Sequence, residues 1–162
     1  MQIISLPKKT GGTRTIYIPD DELMTSLRQL SGRLTSKAQK ACPENVHGFM
    51  RDRSPVTNAS AHIGHQYTLC FDLQDFFESV TPDKLKGKLS KDEIAVVFVD
   101  GSARQGLPTS PAVANLAFSA TDHAILKWLT KANKNVVYTR YADDLSFSFD
   151  DPALSTFLMR SR

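Results

Sequence analysis

Apolar residues along this chain recur with the two periods that distinguish strands from helices. Residues 3–6 and 15–18 are short strand-like runs, and Gly11-Gly12 between them can supply the positive φ angles of a hairpin turn. The run at 67–72 is apolar and ends in a carboxylate, Asp72. This predicts a buried strand whose last residue needs a compensating charge or hydrogen bonds.

Leucines at helical spacing predict a first long helix, which Asp20 or Asp21 can cap. The helix must end before Pro43, because proline disfavours helical geometry in the residue ahead of it. Residues 92–99 are ambiguous between strand and helix, and Thr81-Pro82 predicts a short helix. The expected core stripe of the first helix consists of Leu23, Leu27, Leu30 and Leu34.

Three further helix starts have the form of an N-cap residue followed by proline at the first helical position. They are Ser54-Pro55, Ser110-Pro111 and Asp151-Pro152. The second of these helices can run to about Lys131, and its inward-facing residues are expected to be Val113, Leu116, Ala117, Ala120, Ala124 and Trp128. The last is expected to have an apolar side formed by Leu154, Leu158 and Met159.

Residues 136–149 predict a second hairpin, which carries two adjacent carboxylates. Asp143 and Asp144 lie at its turn, and Arg140 is the obvious local basic partner. Such a pair suggests a site for a hard divalent cation. A solvated turn is the commoner reason for an Asp-Asp pair, so the rest of the chain has to decide between the two.

Composition indicates a globular protein, with 41% hydrophobic and 23% charged residues among 162. The N-terminal apolar run is too short for a signal peptide, which predicts a cytoplasmic protein with no membrane segment. Cys42 and Cys70 lack zinc-site spacing and predict small buried thiols. Through His62 there are nine Lys and Arg against five Asp and Glu, which fits an ordinary solvated surface or one that binds phosphates.

Two smaller features have both a structural and a functional interpretation. Lys8, Lys9 and Arg14 on the first hairpin form either a charged surface loop or a fingertip that closes on a triphosphate. Asn58 and His62 are four residues apart on the helix predicted after Pro55. That pair is either a local hydrogen-bond or packing feature or part of a ligand set.

The order of these features resembles that of the reverse transcriptases, and several motifs are similar to those of the bacterial retron enzymes. Group II intron and diversity-generating enzymes share some of them. The motifs are His47-Gly48-Phe49, Asn58-Ala59-x-x-His62, Gln105-Gly106-Leu107-Pro108-Thr109-Ser110-Pro111 and Tyr141-Ala142-Asp143-Asp144. The resemblance implies an α/β fold of the α+β kind, a right-hand polymerase with fingers at residues 1–66 and a palm at 67–162. Antiparallel palm strands would be backed by helices.

The resemblance also implies roles for particular residues. Asp72, Asp143 and Asp144 would be catalytic and would hold two Mg²⁺ ions, with Mn²⁺ a possible substitute. Carboxylates from adjacent strands suit this chemistry, because the ions must activate a 3′-hydroxyl and a departing pyrophosphate. The nucleotide would be bound by Lys8 or Lys9, Arg14, Phe77 under the deoxyribose, Gln105 and Gly106. Asn58 and His62 would belong to an RNA-binding surface.

The function implied is RNA-directed DNA synthesis on an RNA template, with a DNA primer, dNTPs and a structured noncoding RNA as partners. Two alternatives are an antiphage polymerase that adds nucleotides without a template and a catalytically silent RNA-binding remnant. An RNA-dependent RNA polymerase is disfavoured, because Tyr141-Ala142 and Phe77 suit a deoxynucleotide enzyme.

Two departures from the family pattern are visible. The interval from Asp72 to Gln105 is 33 residues, shorter than is usual in the family. The sequence also stops soon after the catalytic hairpin, without the last palm strands, the primer-gripping hairpin or a thumb. It is therefore expected to be a fragment, one part of a split enzyme or a degenerate copy, and to be nearly inactive alone.

Overall fold

The computed structural model describes residues 1–7, 11–132 and 135–160, and these form an α+β fold with antiparallel sheets, as predicted. A short 3₁₀ turn lies at Pro82–Leu85. The strands and helices are, in chain order, β1 (Gln2–Pro7), β2 (Thr13–Ile18), α1 (Asp21–Ala41), α2 (Pro55–Ser60), β3 (Tyr67–Asp72), α3 (Lys91–Val97), α4 (Ser110–Lys131), β4 (Val137–Tyr141), β5 (Asp144–Phe149) and α5 (Ala153–Arg160).

The chain divides into two compact units, each built from two separate segments. The first unit comprises Met1–Ala41 and Asp75–Phe118, and the second comprises Cys42–Gln74 and Ser119–Arg162. The fingers at 1–66 and palm at 67–162 are a division by function rather than by compactness, and that division stays a prediction.

The first unit contains the basic hairpin and the leucine-rich helix. Strand β1 pairs with β2 along its whole length, from Gln2 opposite Ile18 to Pro7 opposite Thr13. The Asp20 carboxylate accepts a hydrogen bond from the Leu23 amide at 3.0 Å, which caps α1 as expected. Leu27, Leu30 and Leu34 are buried and Leu23 is partly buried, so the predicted stripe is confirmed.

The second unit is organised around a three-stranded antiparallel sheet in the order β3-β5-β4. The predicted burial of β3 is wrong. Only Leu69 of β3 is partly covered, and Asp72 is exposed. The reason is position, because β3 lies at the edge of the sheet whereas β5 lies in the middle. An exposed edge carboxylate needs no compensation for burial, so the argument from desolvation does not apply to Asp72.

Helix α4 has the predicted bounds but not the predicted single inward face. Val113 and Leu116 are buried, whereas Ala120 and Ala124 are exposed. Ala124 lines an open cleft of about 840 Å³ in the second unit, which explains its exposure. Between residues 120 and 128 of α4 the buried residue is Asp122, whose side chain is fully covered.

Several local predictions are settled by capping and burial. A capping box between Ser90 and Glu93 makes the ambiguous 92–99 run helical over Lys91–Val97. Leu154 and Leu158 of α5 are buried, but Met159 is exposed.

The two cysteines are not the buried thiols expected, because Cys42 is half-buried and Cys70 is exposed on the edge strand. Within the described ranges, no helix has the length and apolar character needed to cross a membrane.

Candidate active site

The Asp143-Asp144 pair lies at a tight turn between β4 and β5. Tyr141 is paired with Asp144, so the turn has two central residues, Ala142 and Asp143. Ala142 has a φ of 57°, which is the positive value that a two-residue hairpin of primed type requires at its first central position. Alanine adopts this region at some cost, so the surrounding structure has to hold the turn in place.

Strand pairing brings Asp72 to the same end of the sheet. Asp72 is directly opposite Asp144 in the β3–β5 register. The amide of Leu73 donates to the carbonyl oxygen of Asp143 at 3.0 Å, which ties the end of β3 to the turn. Burial, and after it the negative charges of Asp143 and Asp72, raise the pKa of the Asp144 carboxyl above its usual value. The three predicted acids therefore lie close enough to repel one another.

The donor chemistry of these acids fits Mg²⁺, which prefers carboxylate oxygens. In the described part of the chain, however, no three His, Cys, Asp or Glu side chains converge as a ready-made metal site. Asp72 and Asp144 are exposed residues, although Asp144 is desolvated enough for its pKa to rise. The backbone thus brings the three acids together, and convergence of their oxygens on a cation stays a prediction.

The position of Arg140 in the sequence suggested that it pairs with the acids of the turn. Its guanidinium is instead paired with Asp122. Its Nη2 atom lies 2.8 Å from Oδ2 of Asp122, and both side chains are fully buried. Its Nε donates to the other Asp122 oxygen at 2.9 Å. Tyr138 donates its hydroxyl to the same carboxylate at 2.7 Å, and burial, with the Asp122 charge second, raises the pKa of this phenol.

The remaining arm of the Arg140 guanidinium reaches the turn. Nη1 donates to the carbonyl oxygen of Ala142 at 2.9 Å. Asp122 was missed at the sequence level, although a signal was present. It is the sole acidic residue in the otherwise largely apolar run from 110 to 126 of α4. An acid in such a run has to find a buried partner, and the sequence does not say which one.

The His47-Gly48-Phe49 motif packs against the other side of the same hairpin. The Arg140 amide donates to the Asn45 carbonyl at 3.0 Å, and the His47 amide donates to the Arg140 carbonyl at 2.8 Å. A Cβ on Gly48 would lie 2.1 Å from the Ala142 nitrogen. Only glycine therefore allows the two backbones to approach this closely.

Residues 6–154 match the protein family described as "Reverse transcriptase (RNA-dependent DNA polymerase)". The chain belongs to the reverse transcriptase family. Its relatives include the retron Mx65 reverse transcriptase of Myxococcus xanthus, 31% identical over 91% of this chain and 40% of the relative. The retron Ec86 reverse transcriptase of Escherichia coli is 34% identical, over 83% of this chain and 44% of the relative.

Solved structures support the same fold. Telomerase from Candida albicans, solved in complex with a fragment of telomeric RNA, superposes with a TM-score of 0.62 over 98% of this chain and 39% of that one. At 13% sequence identity this similarity shows the fold alone. The chain thus spans well under half the length of the retron relatives named above and of this structure.

The motif that contains Asn58 and His62 is attached to the three-stranded sheet through His62. His62 bonds Ser148 Oγ through Nδ1 at 2.8 Å and Thr139 Oγ1 through Nε2 at 2.6 Å. Burial, with the charge of His65 second, lowers its pKa. Helix α2 ends at Ser60, so His62 lies in the turn after the helix rather than on it as predicted. Both ring nitrogens are occupied inside the unit, which gives His62 an architectural role and leaves its RNA contact a prediction.

Asn58 differs from His62 in its hydrogen bonding. Its Oδ1 is buried and has no hydrogen-bond partner among the described residues. A buried polar atom without a partner is uncommon and needs an explanation. The unpartnered Oδ1 atom fits a role of Asn58 in RNA binding, and that role stays a prediction.

The predicted nucleotide-binding residues of the first unit have different environments. The Tyr17 amide donates to the Gln105 carbonyl at 2.8 Å. Gly106 has a φ of 99°, and a Cβ there would lie 2.2 Å from the Tyr17 carbonyl oxygen, so this position requires glycine. The Gln105 Oε1 atom is buried and unpartnered among the described residues. The Gln105-Gly106 loop is therefore docked tightly on β2.

Phe77 and Arg14 are the remaining described members of the predicted nucleotide site. Phe77 is half-buried, with its ring centroid 5.5 Å from that of Phe76. Arg14 is exposed on β2 opposite Leu6. Lys8 and Lys9 lie outside the described residues. Contact of any of these side chains with a nucleotide stays a prediction.

Proposed function

We propose that this chain forms the fingers and palm of an RNA-directed DNA polymerase of the retron type, which adds deoxynucleotides by two-metal nucleotidyl transfer. One observation carries the proposal. In a chain of the reverse transcriptase family, strand register sets Asp72 opposite Asp144, with Asp143 beside them in the turn. Like charges directly opposite across strands are destabilising, so this arrangement becomes favourable when a cation lies between them.

Two Mg²⁺ ions are the proposed cofactor, and Mn²⁺ is a chemical substitute with similar ligand preferences. Asp72 and Asp143 would hold them, with Asp144 beside the pair. Such ions lower the barrier by activating the attacking hydroxyl and neutralising the charge of the departing pyrophosphate. The contribution of the chain itself is to present the three carboxylates from a sheet whose turn is fixed by Arg140 and Gly48.

The remaining site residues are proposed to bind substrates. Arg14 with Lys8 or Lys9 would contact the triphosphate, since cationic side chains suit phosphate oxygens. Gln105 and Gly106 would contact nucleotide and template. Asn58 and His62 would form part of an RNA-binding surface.

The proposed partners are an RNA template, a DNA primer, dNTPs and a structured noncoding RNA, and the proposed location is the cytoplasm. The retron relatives support the RNA template, because their names describe reverse transcriptases. A primer-holding thumb is proposed for the full protein, since the chain spans 40% of the Mx65 relative. Positioning of the primer end supplies much of the rate in such reactions.

The function is tested by primer extension with the full reading frame as it occurs in its own DNA. We expect dNTP addition on a primed RNA template in the presence of Mg²⁺, and no addition when EDTA is present. Extension of a primer without any template would favour the template-free polymerase instead. RNA binding without nucleotide addition under any of these conditions would favour the silent remnant.

Phe77 provides a test of sugar choice. Phe77→Ala is expected to raise ribonucleotide incorporation relative to deoxynucleotide incorporation by about tenfold or more, because removing a ring that abuts the 2′ position opens the pocket. Phe77→Tyr, which keeps the ring, is the matched control and should retain the parent preference. The ratio of kcat/KM values for the two nucleotides measures the effect. An unchanged ratio in Phe77→Ala would reject this role.

A further inference from the structure

The guanidinium of Arg140 connects the core of the second unit to the acidic turn. Two of its nitrogens bond both oxygens of Asp122, at 2.9 and 2.8 Å. The third donates to the Ala142 carbonyl at 2.9 Å. Arg140 and Asp122 each have fully buried side chains. The rigid planar fork of arginine suits this three-way attachment, because its donors point in fixed directions.

A buried ion pair of this kind is not explained by stability. Replacing such a pair by apolar residues of similar volume is often neutral or stabilising, because two charges have to be removed from water. The pair therefore indicates a requirement for geometry. The hydrogen bond that connects it to the turn is the one to the carbonyl of Ala142, whose φ of 57° alanine adopts unfavourably.

The Ala142 carbonyl belongs to the same planar peptide unit as the amide of Asp143. Fixing that oxygen fixes the plane, and with it the position of the Asp143 Cα from which the side chain leaves the turn. The backbone of Arg140 is itself held on both sides, by the Asn45 carbonyl and by the His47 amide. The hydrogen bond to Ala142 thus starts from a residue whose own backbone is hydrogen-bonded on both sides.

We infer that Arg140, oriented by Asp122, is a positioning residue that aims the Asp143 carboxylate and so sets the affinity of the acidic turn for a divalent cation. This inference rests on the proposed function, because it takes the three acids as the cation site. Residues that orient metal ligands without touching the metal typically change metal affinity by about 10- to 100-fold when replaced. A positioning role for Arg140 therefore predicts a measurable loss of cation affinity when Arg140 is replaced.

Arg140→Lys is the first test, with Tyr138→Phe as its matched control. Lysine keeps the charge beside Asp122, but one ammonium group cannot replace the fork that reaches Asp122 and Ala142 together. Tyr138→Phe removes a hydrogen bond to the same Asp122 and leaves the Arg140–Ala142 bond intact. Mn²⁺ alone is the probe, titrated into the full-length protein and followed by electron paramagnetic resonance. Binding lost in Asp143→Asn defines the site.

We expect Arg140→Lys to weaken Mn²⁺ binding at this site by about tenfold or more, and Tyr138→Phe to change it less than about threefold. A second variant separates positioning from folding. Asp122→Leu combined with Arg140→Met replaces the pair by apolar side chains and is expected to keep the fold. Its Mn²⁺ affinity should still be at least about tenfold weaker than that of the parent, because the guanidinium no longer holds the Ala142 carbonyl.

Parent-like Mn²⁺ affinity in a folded double variant would overturn the positioning role and leave the proposed function intact. Equal weakening in Tyr138→Phe and Arg140→Lys would also overturn it, because general loss of core stability would then explain both. Absence of any Asp143-dependent Mn²⁺ site in the parent would count against the proposed function itself. The three results are distinguishable in one titration series.

Discussion

Asp143→Asn is expected to lower the rate of deoxynucleotide addition by the full-length protein at least about 1,000-fold, which corresponds to about 4 kcal/mol of lost transition-state stabilisation. The substitution removes one anionic ligand of the proposed ions while nearly preserving the size of the side chain. It also removes one of the charges that raise the pKa of Asp144, so that pKa should fall while the contribution of burial remains. Single-nucleotide extension at saturating dNTP measures the rate.

Asp52→Asn is the matched control for this substitution. Asp52 is exposed and has a φ of 59°, a conformation that asparagine adopts as readily as aspartate. The change in net charge is the same in both variants, so the control should extend primers at the parent rate. A rate for Asp143→Asn within about tenfold of the parent would be incompatible with a catalytic carboxylate at this position.

Asp122→Ala is expected to lower the free energy of unfolding by about 3–5 kcal/mol, a large share of the roughly 5–15 kcal/mol of a typical domain. It leaves the Arg140 guanidinium buried without its counter-charge and the Tyr138 hydroxyl without its acceptor. Urea denaturation followed by circular dichroism measures the change. Asp122→Leu with Arg140→Met should recover most of the stability, since no unpaired charge is then left inside. A loss below about 1 kcal/mol in Asp122→Ala would mean that the pair is not buried as described.

Features that depend on neighbours in the sequence were predictable from the sequence. The caps of α1 at Asp20 and of α2 at Ser54 were both recognisable, because a cap side chain bonds an amide two or three residues away. The turn between β4 and β5 follows from the alternation on its flanks. The order of motifs also indicated the family that the match over residues 6–154 shows.

The environment of the acids was not predictable in the same way. Asp72 was expected at the end of a buried strand, yet β3 is an exposed edge strand. Which strand occupies the edge depends on pairing between segments more than 70 residues apart, from Tyr67 opposite Phe149 to Asp72 opposite Asp144. A run of apolar residues does not show whether its strand lies at the edge or in the middle of the sheet, because edge and central strands can share one composition.

What the sequence by itself determined is therefore the set of local elements, the family and the three acids at strand ends. Only the tertiary structure decided which groups hold those acids in place. Asp122 reaches Arg140 across 18 residues, and Gly48 meets Ala142 across 94. The physical reason is that caps and turns are satisfied within a few residues, whereas a buried charge or a close backbone approach is satisfied only when distant segments have packed.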